Sequence, residues 1–192
     1  MKKLSTQMKR DVLIEVDERI AHFSLDPVEL RRSCLYHAAF ASLAIAKRGV
    51  RAILQAGGAS WRFKARETDD GTGSTHFSYV FNLTEPSSAA RMKSGGLPEC
   101  HVWCAIPASG EIIDLTTGFL PELLAESLPN ETWTEQLPPP YFWGPPEEFR
   151  DGWSYAANME ATLLAYRFLK KGHPDVFAEM QRRSIAPLQL PD

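Results

Sequence analysis

The sequence is poor in cysteine, with three cysteines among 192 residues. Such a sparse and odd-numbered set cannot form the dense disulfide framework that stabilises many small secreted proteins. We therefore expect a protein of a reducing compartment, and the predicted location is the cytoplasm.

Long apolar runs and an excess of positive charge are also missing. The longest nearly apolar run, residues 38–46, is far shorter than the roughly 20 residues that cross a membrane as a helix. The N-terminal residues lack the apolar region of a secretory signal. The formal net charge of −3 differs from the basic excess that nucleic-acid-binding proteins usually carry. We expect neither a membrane nor a nucleic acid as partner.

The remaining composition is typical of a globular protein. Apolar residues make up 44% and charged residues 23% of the chain, which argues against intrinsic disorder. A chain of 192 residues has the usual size of one domain, so we predict a single domain over 1–192.

Apolar residues recur at helical spacing near the N-terminus, which predicts an amphipathic helix over 10–23. A second helical pattern covers 27–48, opens with a capping-box pattern and ends at Gly49. The pattern fits either one helix or two helices, the second with Ser33 as its N-cap. Only the broken form places Cys34 at a helix N-terminus.

The middle of the chain changes to β-favouring segments joined by short turns. Gly57 and Gly58 separate two such segments, and residues 69–74 have the composition of a turn. A helix followed by strands with hairpin-length connections predicts an α+β fold with an antiparallel sheet. The strands of this sheet are predicted at 50–56, 77–83, 100–106 and 111–116.

Two further segments suggest surface features. The polar, small-residue loop over 85–98 is predicted to be a flexible lid. The sequence LPPPYFWGPPEEF, residues 137–149, favours an extended strap packed on the domain. The alternative is a ligand for a proline-recognising module. Helical patterns are predicted at 119–128, before this strap, and over most of 157–184, after it.

Five cysteine and histidine residues raise the question of a metal site: Cys34, His37, Cys100, His101 and Cys104. On a strand, Cys100 and Cys104 would lie roughly 13 Å apart, on the face opposite to His101 and Trp103. That separation is too large for two bonds of about 2.3 Å to one zinc ion, or for a disulfide. We therefore predict no metal and no other cofactor; a zinc protein in which the two cysteines converge is the less favoured alternative.

A cysteine on a helix, a histidine on a later strand and an aspartate on the next strand form a set that suits nucleophilic catalysis. An imidazole can take the proton of a thiol, and a carboxylate can hold that imidazole in one orientation and tautomer. A tight hairpin would place His101 and Asp114 on adjacent strands. Cys34 would be the thiol.

The local sequence resembles the transglutaminase-like core of the papain-like cysteine protease superfamily. In that family a nucleophilic cysteine opens an alanine-rich helix that ends in glycine, as CLYHAAFASLAIAKRG does here from Cys34. A His-Ala-Trp strand follows in the family, and His101, Val102 and Trp103 stand in those places. The family's Asp-Pro-Thr corresponds to residues 114–116. The resemblance covers 30–118, whereas 119–192 contains the strap and C-terminal helices and matches nothing.

The resemblance implies a papain-like α+β fold in which the helix carrying the cysteine packs on an antiparallel sheet. It implies that Cys34 is the nucleophile, His101 the general base and acid, and Asp114 the residue that orients His101. The family forms a thioester with an acyl donor, which water or an amine then resolves. The expected enzyme is therefore a protease, deamidase or transamidase, whose substrate is a peptide, a protein or a small amide.

Three further residues are predicted to lie at the cleft: His37, Trp103 and Ser33. His37 lies three residues after Cys34 on the same helix, but a buried histidine bonded to a backbone carbonyl explains it equally well. Trp103 would shield the imidazole or simply fill the core. No glutamine or tryptophan directly precedes Cys34, so the second oxyanion donor is not identified. The alternative function is therefore an inactive binding module on the same fold.

Overall fold

A computed structural model describes residues 4–23, 25–64, 75–187 and 190 of the chain. The described part has an α+β fold, with seven α-helices and one six-stranded antiparallel sheet. The α+β class and the antiparallel sheet are thereby confirmed. The turn predicted at 69–74 lies outside the described residues.

The N-terminal third is helical, and its second helical pattern is broken into two helices. Helix α1 covers Thr6–Ala21 and buries Val12, Val16 and Ile20, the stripe that the helical spacing predicts. Helix α2 covers Pro27–Arg31 and is closed at its N-terminus by the predicted capping box. Helix α3 covers Cys34–Lys47 and ends before Gly49, which has a positive φ of 76°. Cys34 is therefore the first residue of a helix.

The sheet is built around one long strand, β1 (Ile53–Arg62). Gly57 pairs with both His101 and Ala157, and Ala59 pairs with both Tyr79 and Tyr155. Two strands therefore lie end to end along one edge of β1, and a third lies along the opposite edge. The other strands are β2 (His76–Tyr79), β3 (His101–Ile106), β4 (Glu111–Asp114), β5 (Phe142–Gly144) and β6 (Ser154–Ala157).

The predicted interruption at Gly57 and Gly58 is wrong, because β1 runs through both glycines without a turn. The missing side chain at Gly57 is needed for a close approach of β6. A Cβ atom at Gly57 would lie 2.1 Å from the carbonyl oxygen of Ala156, whereas one at Gly58 would lie 3.4 Å from that of Tyr79. The first glycine thus marks a crowded strand pair rather than a turn.

The predicted flexible lid over 85–98 is also wrong in part, because helix α4 occupies Pro86–Lys93. Pro86 stands at the start of this helix, where a proline is tolerated. Ser88 is fully buried, and its hydroxyl accepts a hydrogen bond from the backbone N–H of Glu99 at 3.4 Å. This contact ties α4 to the segment before β3.

The chain after residue 118 completes the sheet. After the helical turn Thr117–Phe119 and helix α5 (Leu120–Ser127), the strap supplies β5, which pairs with β4. The strap is therefore packed on the sheet. Strand β6 pairs with β1, and helices α6 (Met159–Gly172) and α7 (Pro174–Arg182) follow.

The sheet separates two apolar clusters. Even-numbered residues of the first half of β1 and of β3, such as Leu54 and Cys104, share one cluster with residues of α1, α3, α6 and α7. Ala38 and Ala41 of α3 are buried in the same cluster. Odd-numbered residues of the second half of β1, Trp61 among them, face α5 and the aromatic residues around it.

No helix among the described residues is both long and apolar enough to span a lipid bilayer.

Candidate active site

Cys34 lies at the start of α3 and lines a cleft of about 1020 Å³. The first backbone hydrogen bond of this helix joins the His37 N–H to the Ser33 carbonyl at 3.1 Å. The helix itself therefore uses none of the N–H groups of its first three residues, Cys34 included. Such a helix end carries partial positive charge beside the Cys34 sulfur.

His101 and Asp114 form a buried pair on the adjacent strands β3 and β4. The Nε2 atom of His101 lies 2.8 Å from Oδ2 of Asp114, and the two residues are only 3% and 2% exposed. Burial alone would lower the pKa of His101, but the charge of Asp114 and its hydrogen bond raise this pKa above its ordinary range. Burial alone would raise the pKa of Asp114, but the charge of His101 and the hydrogen bonds to the carboxylate lower it.

Cys34 interacts with the same imidazole ring. After the larger effects of Asp114, the Cys34 side chain also contributes to the raised pKa of His101. Because Nε2 of His101 is bonded to Asp114, Nδ1 is the ring nitrogen that remains for Cys34. The structure thus brings together the three residues of the predicted Cys-His-Asp set.

The carboxylate of Asp114 accepts four hydrogen bonds. Its Oδ1 atom accepts from the backbone N–H of Thr116 at 2.9 Å and from the Thr116 hydroxyl at 2.7 Å. Its Oδ2 atom accepts from His101 and from the hydroxyl of Tyr155, both at 2.8 Å. A buried carboxylate with four donors keeps its charge and a fixed orientation.

Aromatic rings surround the His101 imidazole. The Tyr79 and Trp103 rings lie nearly parallel to it, with ring centres 5.6 and 6.2 Å away, and Trp61 meets it edge-on at 4.9 Å. Trp103 lies on the face of His101, as strand alternation predicts, and donates from Nε1 to the side-chain oxygen of Gln55 at 3.1 Å. Trp103 is only 1% exposed, so it fills the core and excludes water from the imidazole.

His37 and Ser33 bond to each other rather than to the Cys-His-Asp set. The Nδ1 atom of His37 lies 2.9 Å from the Ser33 hydroxyl oxygen and 3.1 Å from the Ser33 carbonyl. The Ser33 hydroxyl in turn donates to the carbonyl of Leu30 at 2.5 Å. Ser33 therefore occupies the N-cap position of α3 without a side-chain cap bond. His37 matches its structural interpretation, a buried histidine bonded to a backbone carbonyl.

The cleft walls come from α2, β2, α5 and the segment between α4 and β3. Arg31 forms ion pairs with Glu122 and Glu126 of α5, and Arg32 pairs with Glu126 at 3.4 Å. The charges of the two arginines before Cys34 are therefore largely balanced by α5. Their main effect is to hold two walls of the cleft together.

The other two cysteines differ from Cys34 in their surroundings. Burial is the main cause that raises the pKa of Cys100 and of Cys104 to about 12. Cys100 lines the cleft, whereas Cys104 is fully buried, and Ser42 of α3 only partly offsets the effect of burial on the pKa of Cys104. Among the described residues, no group of three or more histidine, cysteine, aspartate or glutamate side chains is arranged to hold a metal ion.

Sequence reasoning missed the two tyrosines that contact the His-Asp pair. Tyr79 precedes His101 by one helix and a loop, and Tyr155 lies far along the chain on β6, so no local pattern marks either. The contact of Thr116 with Asp114 could have been predicted, because an aspartate followed two residues later by threonine often forms this turn.

The chain matches no model of a known protein family, no curated protein and no solved structure.

Proposed function

We propose that the protein is a cysteine hydrolase or acyltransferase with a papain-like arrangement, acting on an amide or peptide bond. The observation that carries the proposal is the buried His101–Asp114 pair, 2.8 Å apart, whose imidazole also interacts with a cysteine at a helix N-terminus beside a cleft. Such a pair can hold the imidazole as a charged partner of a thiolate.

In the proposed reaction, the Cys34 sulfur attacks the carbonyl carbon of the substrate, and a C–S bond forms. The C–N bond of the amide then breaks, and the amine leaves with the proton from Nδ1 of His101. Water or an amine attacks the resulting thioester while His101 takes its proton. The C–S bond breaks, and the proton returns to the Cys34–His101 pair. Asp114 keeps the ring oriented throughout.

The tetrahedral intermediate needs hydrogen-bond donors for its oxyanion. The backbone N–H of Cys34 is one donor, because the helix does not use it. The Tyr79 hydroxyl is the second donor of this proposal. Tyr79 lines the cleft, and burial and the charge of Cys34 raise its pKa, so its hydroxyl keeps its proton at neutral pH.

The proposed substrate is a peptide, a protein or a small amide with an apolar group beside the scissile bond. The cleft is large enough for such a group, and its walls include apolar side chains from several elements. These are Leu25, Val28, Leu35, Phe77, Leu97, Leu120, Leu123 and Phe168. Asp114 is buried and bonded to His101, which supports catalysis over the alternative of an inactive binding module.

Acylation by an activated ester tests this function without knowledge of the natural substrate. With p-nitrophenyl acetate we expect a burst of nitrophenol and one acetyl group on Cys34 by mass spectrometry. Cys34→Ala and His101→Gln should both abolish the burst, whereas Cys100→Ala should retain it. An equally slow release of nitrophenol from the unsubstituted protein and from all three variants would overturn the proposal.

Tyr79→Phe tests the proposed oxyanion donor in the same assay. Loss of one donor elsewhere has lowered turnover about 10²- to 10³-fold. We expect the acylation rate of Tyr79→Phe to fall by a factor of this order, with alkylation of Cys34 by iodoacetamide unchanged, because alkylation forms no oxyanion. A parallel fall in both reactions would instead mean that Tyr79 only maintains the site.

A further inference from the structure

Tyr155 reaches the His101–Asp114 pair from the opposite edge of β1. It lies on β6, where it pairs with Ala59, while His101 lies on β3 along the other edge. Its side chain crosses β1, and its ring centre lies 5.3 Å from that of Trp103 and 6.1 Å from that of His101. Tyr155 is not among the cleft-lining residues, so it does not contact a substrate in the cleft.

The Tyr155 hydroxyl is held between two partners. It donates to Oδ2 of Asp114 at 2.8 Å and accepts from Nε1 of Trp61 at 3.2 Å. The indole N–H can only donate, so the direction of both bonds is fixed. Burial and the nearby charge of Asp114 raise the pKa of Tyr155, so its hydroxyl remains a donor.

His101 and Tyr155 donate to the same carboxylate oxygen. A second donor on Oδ2 withdraws negative charge from the oxygen that holds the imidazolium. It thereby weakens the attraction between Asp114 and the proton of His101. An imidazolium held too tightly is a poor general acid, because the best catalytic acid titrates near the working pH.

We propose that Tyr155 is a positioning residue that acts through Asp114, fixing the carboxylate and keeping the His101 imidazolium acidic enough to protonate the leaving amine. This inference rests on the proposed function. It assigns to the C-terminal part of the chain the second donor on Oδ2 of Asp114, whereas both donors from Thr116 are on Oδ1.

The pH dependence of Cys34 alkylation measures this effect directly. Besides His101 and Asp114 themselves, the titratable groups around the pair are Cys34 and His37 from α3, Tyr79 from β2 and Tyr155 from β6. In a thiolate–imidazolium pair, the alkylation rate changes once when the pair forms and again, at alkaline pH, when the imidazolium loses its proton. The alkaline transition therefore reports on His101.

We expect Tyr155→Phe to move the alkaline transition to higher pH by about one pH unit, because a carboxylate with one donor fewer holds the imidazolium proton more strongly. Tyr166→Phe is the matched control. It also removes a buried tyrosine hydroxyl, one that bonds to the backbone of Leu54 and Ile185 and lies in the other apolar cluster from Tyr155. Its transition should coincide with that of the unsubstituted protein.

The outcomes separate the two proposals. If Cys34 of the unsubstituted protein shows no selective alkylation and no alkaline transition, the proposed function fails. If that transition is present but Tyr155→Phe leaves it unmoved, the role of Tyr155 is only structural and this inference fails.

A second measurement needs no substitution. In an equal mixture of H₂O and D₂O, a hydroxyl held between Trp61 and Asp114 should exchange slowly. The ¹³Cζ resonance of Tyr155 should then split into protonated and deuterated signals. One averaged signal would contradict a fixed hydroxyl and overturn the inference even if Tyr155→Phe does not fold.

Discussion

The carboxylate of Asp114 is the residue on which the candidate site depends most. It accepts hydrogen bonds from β3, from β6 and from the turn that follows its own strand. Its bond to His101 fixes which ring nitrogen faces Cys34. The hairpin spacing from the sequence predicts the His101–Asp114 contact. It does not predict Tyr155, because that contact depends on a strand pairing between distant parts of the chain.

Asp114→Asn should weaken the fold most near neutral pH. Asp114 has a lowered pKa, so its contribution to stability is present above the ordinary carboxyl pKa and is lost as the pH falls through the lowered value. His101 has a raised pKa, so its contribution is present below the ordinary imidazole pKa and is lost as the pH rises through the raised value. The pair stabilises the protein between these limits, where removal of one partner costs about 3–5 kcal/mol.

Urea unfolding at a series of pH values measures this prediction. The difference in unfolding free energy between the unsubstituted protein and Asp114→Asn should shrink at both the acid and the alkaline end. Asp151→Asn is the control, because Asp151 forms an exposed ion pair with Arg62 and should show no such pH profile. A difference that is constant with pH would contradict the ion pair.

Ser33→Ala should lower the stability of the protein without changing the reactivity of Cys34. The substitution removes the hydroxyl that bonds the Leu30 carbonyl and accepts from His37, which should cost about 1 kcal/mol of unfolding free energy. Cys34 alkylation at pH 6 should be unchanged, because Ser33 has no bond to His101 or Asp114 among the described contacts. A matching fall in the rate of Cys34 alkylation would instead mean that Ser33 contributes to the reactivity of Cys34.

At the scale of elements, the break between α2 and α3 is what places Cys34 at a helix N-terminus. The helical pattern over 27–48 fits one or two helices, because the helical spacing continues across Ser33. In the structure, Ser33 lies between the helices, and its hydroxyl bonds back to the Leu30 carbonyl. Side-chain bonds of this kind compete with the helical backbone and are seen only in three dimensions. The break leaves the N–H groups of the first turn of α3 without helical partners beside the cleft.

Gly57→Ala should disrupt the element that carries Tyr155. A Cβ atom at Gly57 would lie 2.1 Å from the Ala156 oxygen and 2.9 Å from the Asn158 nitrogen, so β6 would have to move. Overpacking of this kind costs about 1–3 kcal/mol, and contact with backbone atoms places it at the upper end. Gly58→Ala is the neighbouring control, because its nearest contact is 3.4 Å.

Urea unfolding of the two glycine variants gives the comparison. We expect a large loss of unfolding free energy for Gly57→Ala and a small change for Gly58→Ala. The alkaline alkylation transition should also move in Gly57→Ala, since Tyr155 is displaced. Equal stability of both variants would contradict the close pairing of β6 with β1.

At the scale of the whole molecule, the sequence was most informative where patterns are local. The N-terminal helices, the β3–β4 hairpin and the C-terminal helices follow from spacing and turn residues. The arrangement around β1 does not, because three strands from separate parts of the chain pair with it. The family resemblance predicted from the sequence covers 30–118, yet β5, β6, α6 and α7 all lie beyond that range.

The chain should therefore not fold when it ends at residue 118, although that fragment contains Cys34, His101 and Asp114. Truncation removes the strands on both sides of the remaining sheet and uncovers Leu54 and Ala56, which bond or pack against α6. It also removes Tyr166 and Leu169, which are buried in the same cluster. A fragment with this much apolar surface exposed lacks the burial that offsets the entropy of folding.

Circular dichroism and amide NMR of residues 1–118 test this prediction against the full chain. We expect a fragment with little fixed tertiary structure and no selective alkylation of Cys34 at pH 6. Addition of a separate 119–192 fragment should restore part of both signals, because the missing strands pair through backbone bonds to β1 and β4. A dispersed amide spectrum from 1–118 alone would instead make that segment an independent domain, and the C-terminal part an addition to it.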